Sequence, residues 1–396
     1  MTTFSVQFLG CKVSHVDAHE VREALLGDGH VERDHAEVAV INTCCVTNEA
    51  VSKSRKAAAR AARSHGRVYV TGCGANLGSE PFAGLPGNVI VVSRRSEETA
   101  AFVARDVGAI GCVQADARVD RVRAFVKVQD GCSFSCNFCV IPLVRGASRS
   151  RRAANVLAEI ARRVAQGHRE VVLTGINLGC YRDREEGYDL PRLVREAGAT
   201  PGLARLRLSS IEINHVNDEL VAALRETPTV SRHLHVPLQS GDDGVLRAMA
   251  RRYSAATYLR RLAPLQEEFN ITSDVIVGFP AEDDAAFANT VRVVREAGLT
   301  KLHVFPYSPR PGTVTANDDP VSTGAKRNRS QRLRDLSDDA CRARWRTKIG
   351  RDDVVLVDRA GRGYGDDYSP WLVDEPVGEL VRVRGARVTE EGIVAA

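Results

Sequence analysis

Residues 131–139 read Gly-Cys-Ser-Phe-Ser-Cys-Asn-Phe-Cys, which sets Cys132, Cys136 and Cys139 in a CxxxCxxC spacing directly after the stretch RAFVKVQD (123–130). A short apolar, β-branched run broken by glycine reads as a strand running into a tight loop. Three thiolates on one loop can hold three irons of a 4Fe–4S cluster, which normally takes four cysteines. No fourth cysteine lies nearby in sequence. An iron with no protein ligand is an open site, by the logic that separates catalytic from structural zinc. The alternatives are a zinc site, which usually shows paired CxxC units, and an electron-transfer ferredoxin, which supplies the fourth cysteine itself.

Working outward, strands are expected at RAFVKVQD, EVVLTGIN, ARLRLSS, RHLHVPL, ITSDVIVGF and KLHVFPYS. Helices between them include NVLAEIARRVAQG, NDELVAALRE, SAATYLRRLAPLQEEF and AAFANTVRVVREAG. Six such units fall short of the eight in a closed TIM barrel, so a partial (β/α)6 barrel is expected over 120–320. Ligands in α/β sheets and barrels sit outside the carboxyl ends of the strands, where the cysteine loop falls.

Before it, TFSVQFLG, EVAVINT and RVYVTG read as strands, with HVDAHEVREALLGDG and EAVSKSRKAAARAARSHG as helices between them. Strand–helix–strand order implies an open parallel α/β sheet, expected over 1–105. Cys11, Cys44 and Cys73 each follow one of those strands. Parallel strands gather their carboxyl ends on one edge, so three distant thiols meet there. Three unrelated buried cysteines are the alternative, since cysteine is commonly buried. A stretch near 95–120 reads as a linker. Over 345–396, Val-rich alternation broken by Gly, Asp and Pro suggests a small antiparallel β domain. The fold class is thus α/β with a C-terminal β module.

With 396 residues, 43% hydrophobic and 27% charged, the chain has ordinary globular composition, enough for two or three domains of about 150 residues. No apolar run approaches the roughly 18 residues that span a bilayer. The opening MTTFSVQFLGCKV lacks a basic region followed by an apolar stretch, so a cytoplasmic location without membrane contact is expected. Ten cysteines in a reducing compartment point to metal or redox chemistry rather than disulfides. The net charge of +5 is mild, but Ser52–Arg67 holds six basic residues and no acid, and Lys326–Lys348 nine against three Asp. Such runs serve as solvated helix faces or as phosphate contacts.

The central motif resembles the radical S-adenosylmethionine (SAM) signature. LGCKV, INTCCVTNEA and VTGC resemble the three motifs of the methylthiotransferase amino-terminal domain, and the terminal segment resembles a TRAM module, which binds RNA. The resemblance covers nearly the whole chain. It implies two 4Fe–4S clusters: a SAM-cleaving one on Cys132, Cys136 and Cys139, and an auxiliary one, implicated in sulfur supply, on Cys11, Cys44 and Cys73. It further implies SAM contacts from Gly175 and Asn177 (LTGIN), Ser210 and Glu212 (LSSIE), Gln239 (HVPLQSG) and Gly278 (DVIVGFPAED). Cys45, Cys112, Cys180 and Cys341 are then structural or incidental, because adjacent extended residues such as Cys44 and Cys45 face opposite ways.

Among the family's substrates, LGCKV, NTCxVTNEA, IPLVRGASRSR and RLRLSSIE are most similar to the subgroup acting on threonylcarbamoyl-adenosine (t6A) at tRNA position 37. Isopentenyl-adenosine in tRNA and a ribosomal-protein aspartate are the alternatives. The expected partners are tRNA, SAM, an electron donor and a sulfur source. Arg145, Arg149, Arg151 and Arg152 are candidates for phosphate contact or for structural salt bridges. Three departures from the family pattern touch no cluster cysteine: Leu143-Val144-Arg145-Gly146 for Tyr-Ala-Arg-Gly, GFPAED for GFPGET, and VTGCGAN for VTGCYAQ.

Overall fold

The computed structural model describes residues 1–108 and 122–396, so Cys112 and most of the expected linker lie outside the described residues. The described residues form two compact units. The first comprises 1–108, 130–149 and 308–317, and the second 122–129, 150–307 and 318–396.

The first unit is built on a five-stranded, wholly parallel sheet. Its strands run in the order Val31–Glu32, Thr3–Phe8, Val38–Thr43, Arg67–Thr71, Val89–Val91. Val38–Thr43 lies at the centre and is buried at all six positions, as expected for a strand covered on both faces. Alternation divides its side chains. Val38 and Val40 pack with Phe4, Val21, Leu25 and Val103, whereas Ala39 and Ile41 pack with Ala57, Ala58, Ala61 and Val70. The helices Lys12–Gly27 and Ser96–Val107 therefore cover one face and Asn48–Ser64 the other.

The helix Ser96–Val107 replaces part of the expected linker. Val103 and Ala104 give that segment a buried stripe, and Glu97 and Glu98 in its first turn suit the positive end of the helix dipole.

In the second unit, six parallel strands carry the partial barrel that the sequence implies. Arg205–Leu208, Glu170–Thr174 and Arg123–Lys127 form one sheet, and His233–His235, Asn270–Val277 and Lys301–Pro306 another. Isolated parallel bridges at Leu206–Val230 and Ser210–His235 link their edges. Ala124, Val126, Val171, Leu173, Leu206, Leu208, Leu234, Ile271 and Val275 point into one apolar core with Val156, Ile160, Leu193, Leu224 and Val294 of the outer helices. By alternation the inner face carries Arg123, Glu170, Arg205, Arg207, His233, His235, Thr272, Asp274 and His303.

The 24-residue helix Thr323–Arg346, capped by the Ser322 hydroxyl, leads to a closed five-stranded barrel around Val355, Val357, Trp371, Val373 and Ile393. Its pairing is antiparallel except between Pro370–Leu372 and Ile393–Ala395, which run parallel. The inner-face arginines hold this module. Arg205 donates to the Val354 carbonyl at 2.6 Å and the Tyr364 carbonyl at 3.2 Å, and Arg207 to the Asp366 carbonyl at 3.3 Å. Glu170 bridges Arg123, Arg205 and Arg207.

Candidate metal centre

Three loops at the carboxyl edge of the first sheet bring Cys11, Cys44 and Cys73 together. Cys11 precedes the helix Lys12–Gly27, Cys44 follows the strand Val38–Thr43, and Cys73 lies on the turn Gly72–Ala75 after Arg67–Thr71. Glycines let these loops close. Gly10 has φ +137°, and a Cβ there would meet Cys44 Cβ at 3.3 Å; a Cβ on Gly74 would meet Thr43 Oγ1 at 2.6 Å. The sulfurs sense one another: burial, with negative charge on Cys73 and Cys11 adding to it, pushes the Cys44 thiol up.

The central loop belongs to the same unit. Gly131 has φ +69°, and a Cβ would stand 2.2 Å from the Ala147 carbonyl, so the loop folds flat against its own return segment. Cys132 N–H donates to the Gly146 carbonyl (3.0 Å), Ser148 N–H to Ser133 Oγ (3.1 Å), and Thr315 N–H to the Asn137 carbonyl (3.2 Å). Phe134 N–H donates to Cys132 Sγ at 3.4 Å, a bond of the kind that tunes iron–sulfur clusters. All three central cysteines are partly exposed.

An apolar seam lies beside Cys73. Cys73 and Cys45 pack with Val140 and Val144, just beyond Cys139. Arg145 lies in this seam with its side chain 5% exposed. It donates through Nε to Cys73 Sγ at 3.0 Å, through Nη1 to Asp130 at 3.0 and 3.2 Å, and through Nη2 to Asp17 at 2.6 Å. Burial opposes its charge, but Cys73, Asp17 and Asp130 outweigh burial and hold the guanidinium protonated. The Cys45 thiol hydrogen-bonds Cys73, and with Arg145 beside it this draws the Cys73 thiol down while Cys45 is pushed up. Cys45 thus supports Cys73 and is not incidental; alternation turns it away from Cys44, but Cys73 reaches both.

The arginines after the loop are used structurally. Arg151 pairs with Glu159 at 2.7 Å, and Arg152 with Asp183, Glu185 and Glu186. Arg149 instead donates to the carbonyls of Arg145 and Ala147. Of the basic run in the helix Asn48–Ser64, Lys53, Lys56, Arg60 and Arg63 are exposed, while Arg55 donates to the Pro81 carbonyl. Near the chain end, Arg344 and Lys348 are engaged by Asp367.

In the second unit, Gly175, Asn177, Ser210, Glu212, Gln239 and Gly278 all follow barrel strands and share one rim. Gly175 lies against Gln129, where a Cβ would stand 2.9 Å from Oε1, and Asn177 N–H donates to the same oxygen at 2.9 Å. Asn177 Oδ1 is buried without a protein partner, which suits a ligand that donates a hydrogen bond. Gln239 has φ +63°, a strained backbone for a non-glycine residue. Gly278 has φ +73°, and its N–H donates to Glu282 Oε1 at 2.6 Å. Glu212 is already engaged by Asn214 and Arg251, so its main role is to cap the turn Ile213–His215. Gln129 escaped the sequence reading because it lies in no recognised motif.

A family model described as the radical SAM superfamily matches residues 126–294, and one described as uncharacterized protein family UPF0004 matches residues 3–93. The chain is 35% identical to the threonylcarbamoyladenosine tRNA methylthiotransferase MtaB of Bacillus subtilis, covering 97% of this chain and 94% of that protein. It belongs to the threonylcarbamoyladenosine tRNA methylthiotransferase family. A second member, from Thermotoga maritima, is 32% identical over 100% of this chain and 97% of its own. Among solved structures, the radical SAM methyltransferase TsrM of Kitasatospora setae superposes with a TM-score of 0.58 at 15% identity, over 80% of this chain and 75% of that one, a likeness of fold.

Proposed function

We propose that this enzyme converts N6-threonylcarbamoyladenosine at tRNA position 37 to its 2-methylthio derivative. The observation that carries the reading is the presence of both cysteine trios in one compact unit, in a chain similar along its whole length to methylthiotransferases of this specificity. Cys132, Cys136 and Cys139 are assigned to the SAM-cleaving 4Fe–4S cluster, and Cys11, Cys44 and Cys73 to the auxiliary one. The donor set fits. Each trio has three thiols on glycine-closed loops and leaves one iron of a four-iron cluster unligated by protein. Together with SAM, the clusters supply radical C–H activation, sulfur and a methyl group, chemistry that side chains alone lack.

The chain's own residues supply placement. Gly131 and its carbonyl contacts fix the central loop, Val140 and Val144 keep water from the Cys73 side, and Arg145 compensates thiolate charge there. Asn177 Oδ1 and the Gly175 turn are assigned to SAM, with Ser210, Gln239 and Gly278 along the same rim and Glu212 shaping it. Segments 1–105, 120–320 and 345–396 are assigned to auxiliary-cluster binding, SAM chemistry and RNA contact. The exposed Lys53, Lys56, Arg60 and Arg63 are assigned to tRNA phosphates. An electron donor and a sulfur source complete the partners. No described helix is long and apolar enough to cross a membrane; the cytoplasm is assigned as the site of action. Nucleoside mass spectrometry of tRNA from a deletion strain tests the reading. The 2-methylthio-threonylcarbamoyl nucleoside should vanish while its unmethylthiolated precursor accumulates; an unchanged profile refutes it.

A further inference from the structure

On the inner face of the partial barrel, three side chains converge that no cluster assignment uses. His235 ends the strand His233–His235, Asp274 lies within Asn270–Val277, and His303 within Lys301–Pro306. The register explains the convergence. Asp274 pairs directly with His303, and His235 with Thr272, two residues from Asp274 and on the same face. Asp274 Oδ1 lies 3.2 Å from His235 Nε2 and 3.1 Å from His303 Nδ1. One ligand atom from each residue lies within 4.8 Å of the other two. The two imidazoles stack with centroids 5.3 Å apart.

The two spacings to Asp274 Oδ1 are those of neighbouring donors on one ion. A metal about 2.0–2.2 Å from each donor sets adjacent donors about 3 Å apart in octahedral geometry and about 3.4 Å apart in tetrahedral geometry. The supporting contacts match as well. His235 Nδ1 lies 2.9 Å from Thr272 Oγ1, the outer-sphere bond that fixes the tautomer of a ligating histidine. His303 is more than half exposed, so the open side of the group is accessible from the lumen.

We propose that His235, Asp274 and His303 form a binding site for one divalent first-row transition ion, with the remaining coordination positions open to oxygen donors. Two imidazoles and one carboxylate with vacant positions suit Fe²⁺, Mn²⁺, Co²⁺ or Zn²⁺ rather than Ca²⁺ or Mg²⁺. None of the three residues belongs to a cysteine trio, and the proposal does not rest on the reaction proposed above.

Mn²⁺ titration followed by electron paramagnetic resonance, on anaerobic enzyme with its clusters already loaded, tests the site. Mn²⁺ is a poor partner for thiolates, so residual cysteine binding contributes little. Wild-type enzyme should remove one Mn²⁺ per chain from the free-ion signal. Asp274→Asn and His303→Gln should each weaken binding at least about tenfold, and Thr272→Val, which removes only the outer-sphere partner, about 10–100-fold. Cluster iron content and circular dichroism report whether each variant is folded, and exposed His303 is the substitution least prone to disturb it. Absence of stoichiometric Mn²⁺ binding by wild type, or equal binding by wild type and His303→Gln, overturns the proposal and leaves the group a hydrogen-bonded ion pair.

Discussion

Arg145 Nε lies 3.0 Å from Cys73 Sγ while its other nitrogens grip Asp17 and Asp130, residues far apart in the chain. One buried cation thus neutralises a thiolate on the sheet edge and anchors both the first helix and the start of the central loop. Removing one partner of a buried ionic network strands the others. Arg145→Ala should therefore destabilise the protein by about 3–5 kcal/mol, read as a lower unfolding midpoint in denaturant. Arg145→Lys keeps the charge but loses the fork geometry. It should fold, with the auxiliary cluster shifted to lower reduction potential because a donor to sulfur is lost. An unchanged potential in Arg145→Lys would remove Arg145 from cluster tuning.

Gly131→Ala should block the central loop selectively. Its φ of +69° and the 2.2 Å approach of a Cβ to the Ala147 carbonyl leave no relaxed position for alanine. After anaerobic reconstitution, iron should fall from about eight to about four per chain as one of two four-iron clusters is lost. Full loading of the variant would show that this loop tolerates displacement.

Glu170 predicts an acid transition. Burial alone would raise its carboxyl, but the charges of Arg207, Arg123 and Arg205 overcome this and hold it down at about 2, against an ordinary 4.5. A depressed carboxyl contributes stability that is complete above pH about 4.5 and lost as pH falls towards 2. The difference corresponds to about 3 kcal/mol. Glu170→Gln should remove that pH dependence between 4.5 and 2 and destabilise the docking of the C-terminal barrel, measured as unfolding midpoint against pH. Parallel pH profiles for wild type and variant would contradict this account.

The gathering of Cys11, Cys44 and Cys73 was legible because its signals are local. Cys11, Cys44 and Cys73 each end a β-branched run, and parallel strands can only gather such ends on one edge. The six barrel strands were legible for the same reason, alternation within a few residues. What escaped depends on distant partners. Arg145 looked as fit for phosphate as Arg149 did, since nothing near it in sequence announces Asp17. The Cys45–Cys73 contact and the packing of residues 130–149 with the amino-terminal sheet likewise have no sequence signature. The helix Ser96–Val107 was missed because its buried stripe is short, only Thr99, Val103 and Ala104.

The most direct test pairs two variants of cluster-loaded enzyme given SAM, reductant and tRNA carrying threonylcarbamoyl-adenosine. Cys136→Ala should release no 5′-deoxyadenosine. Cys73→Ala should still release it but form no methylthio nucleoside if, as proposed, SAM cleavage and sulfur supply reside on different trios. If Cys73→Ala still forms the methylthio product, or Cys136→Ala still cleaves SAM, the division of labour between the two trios is wrong.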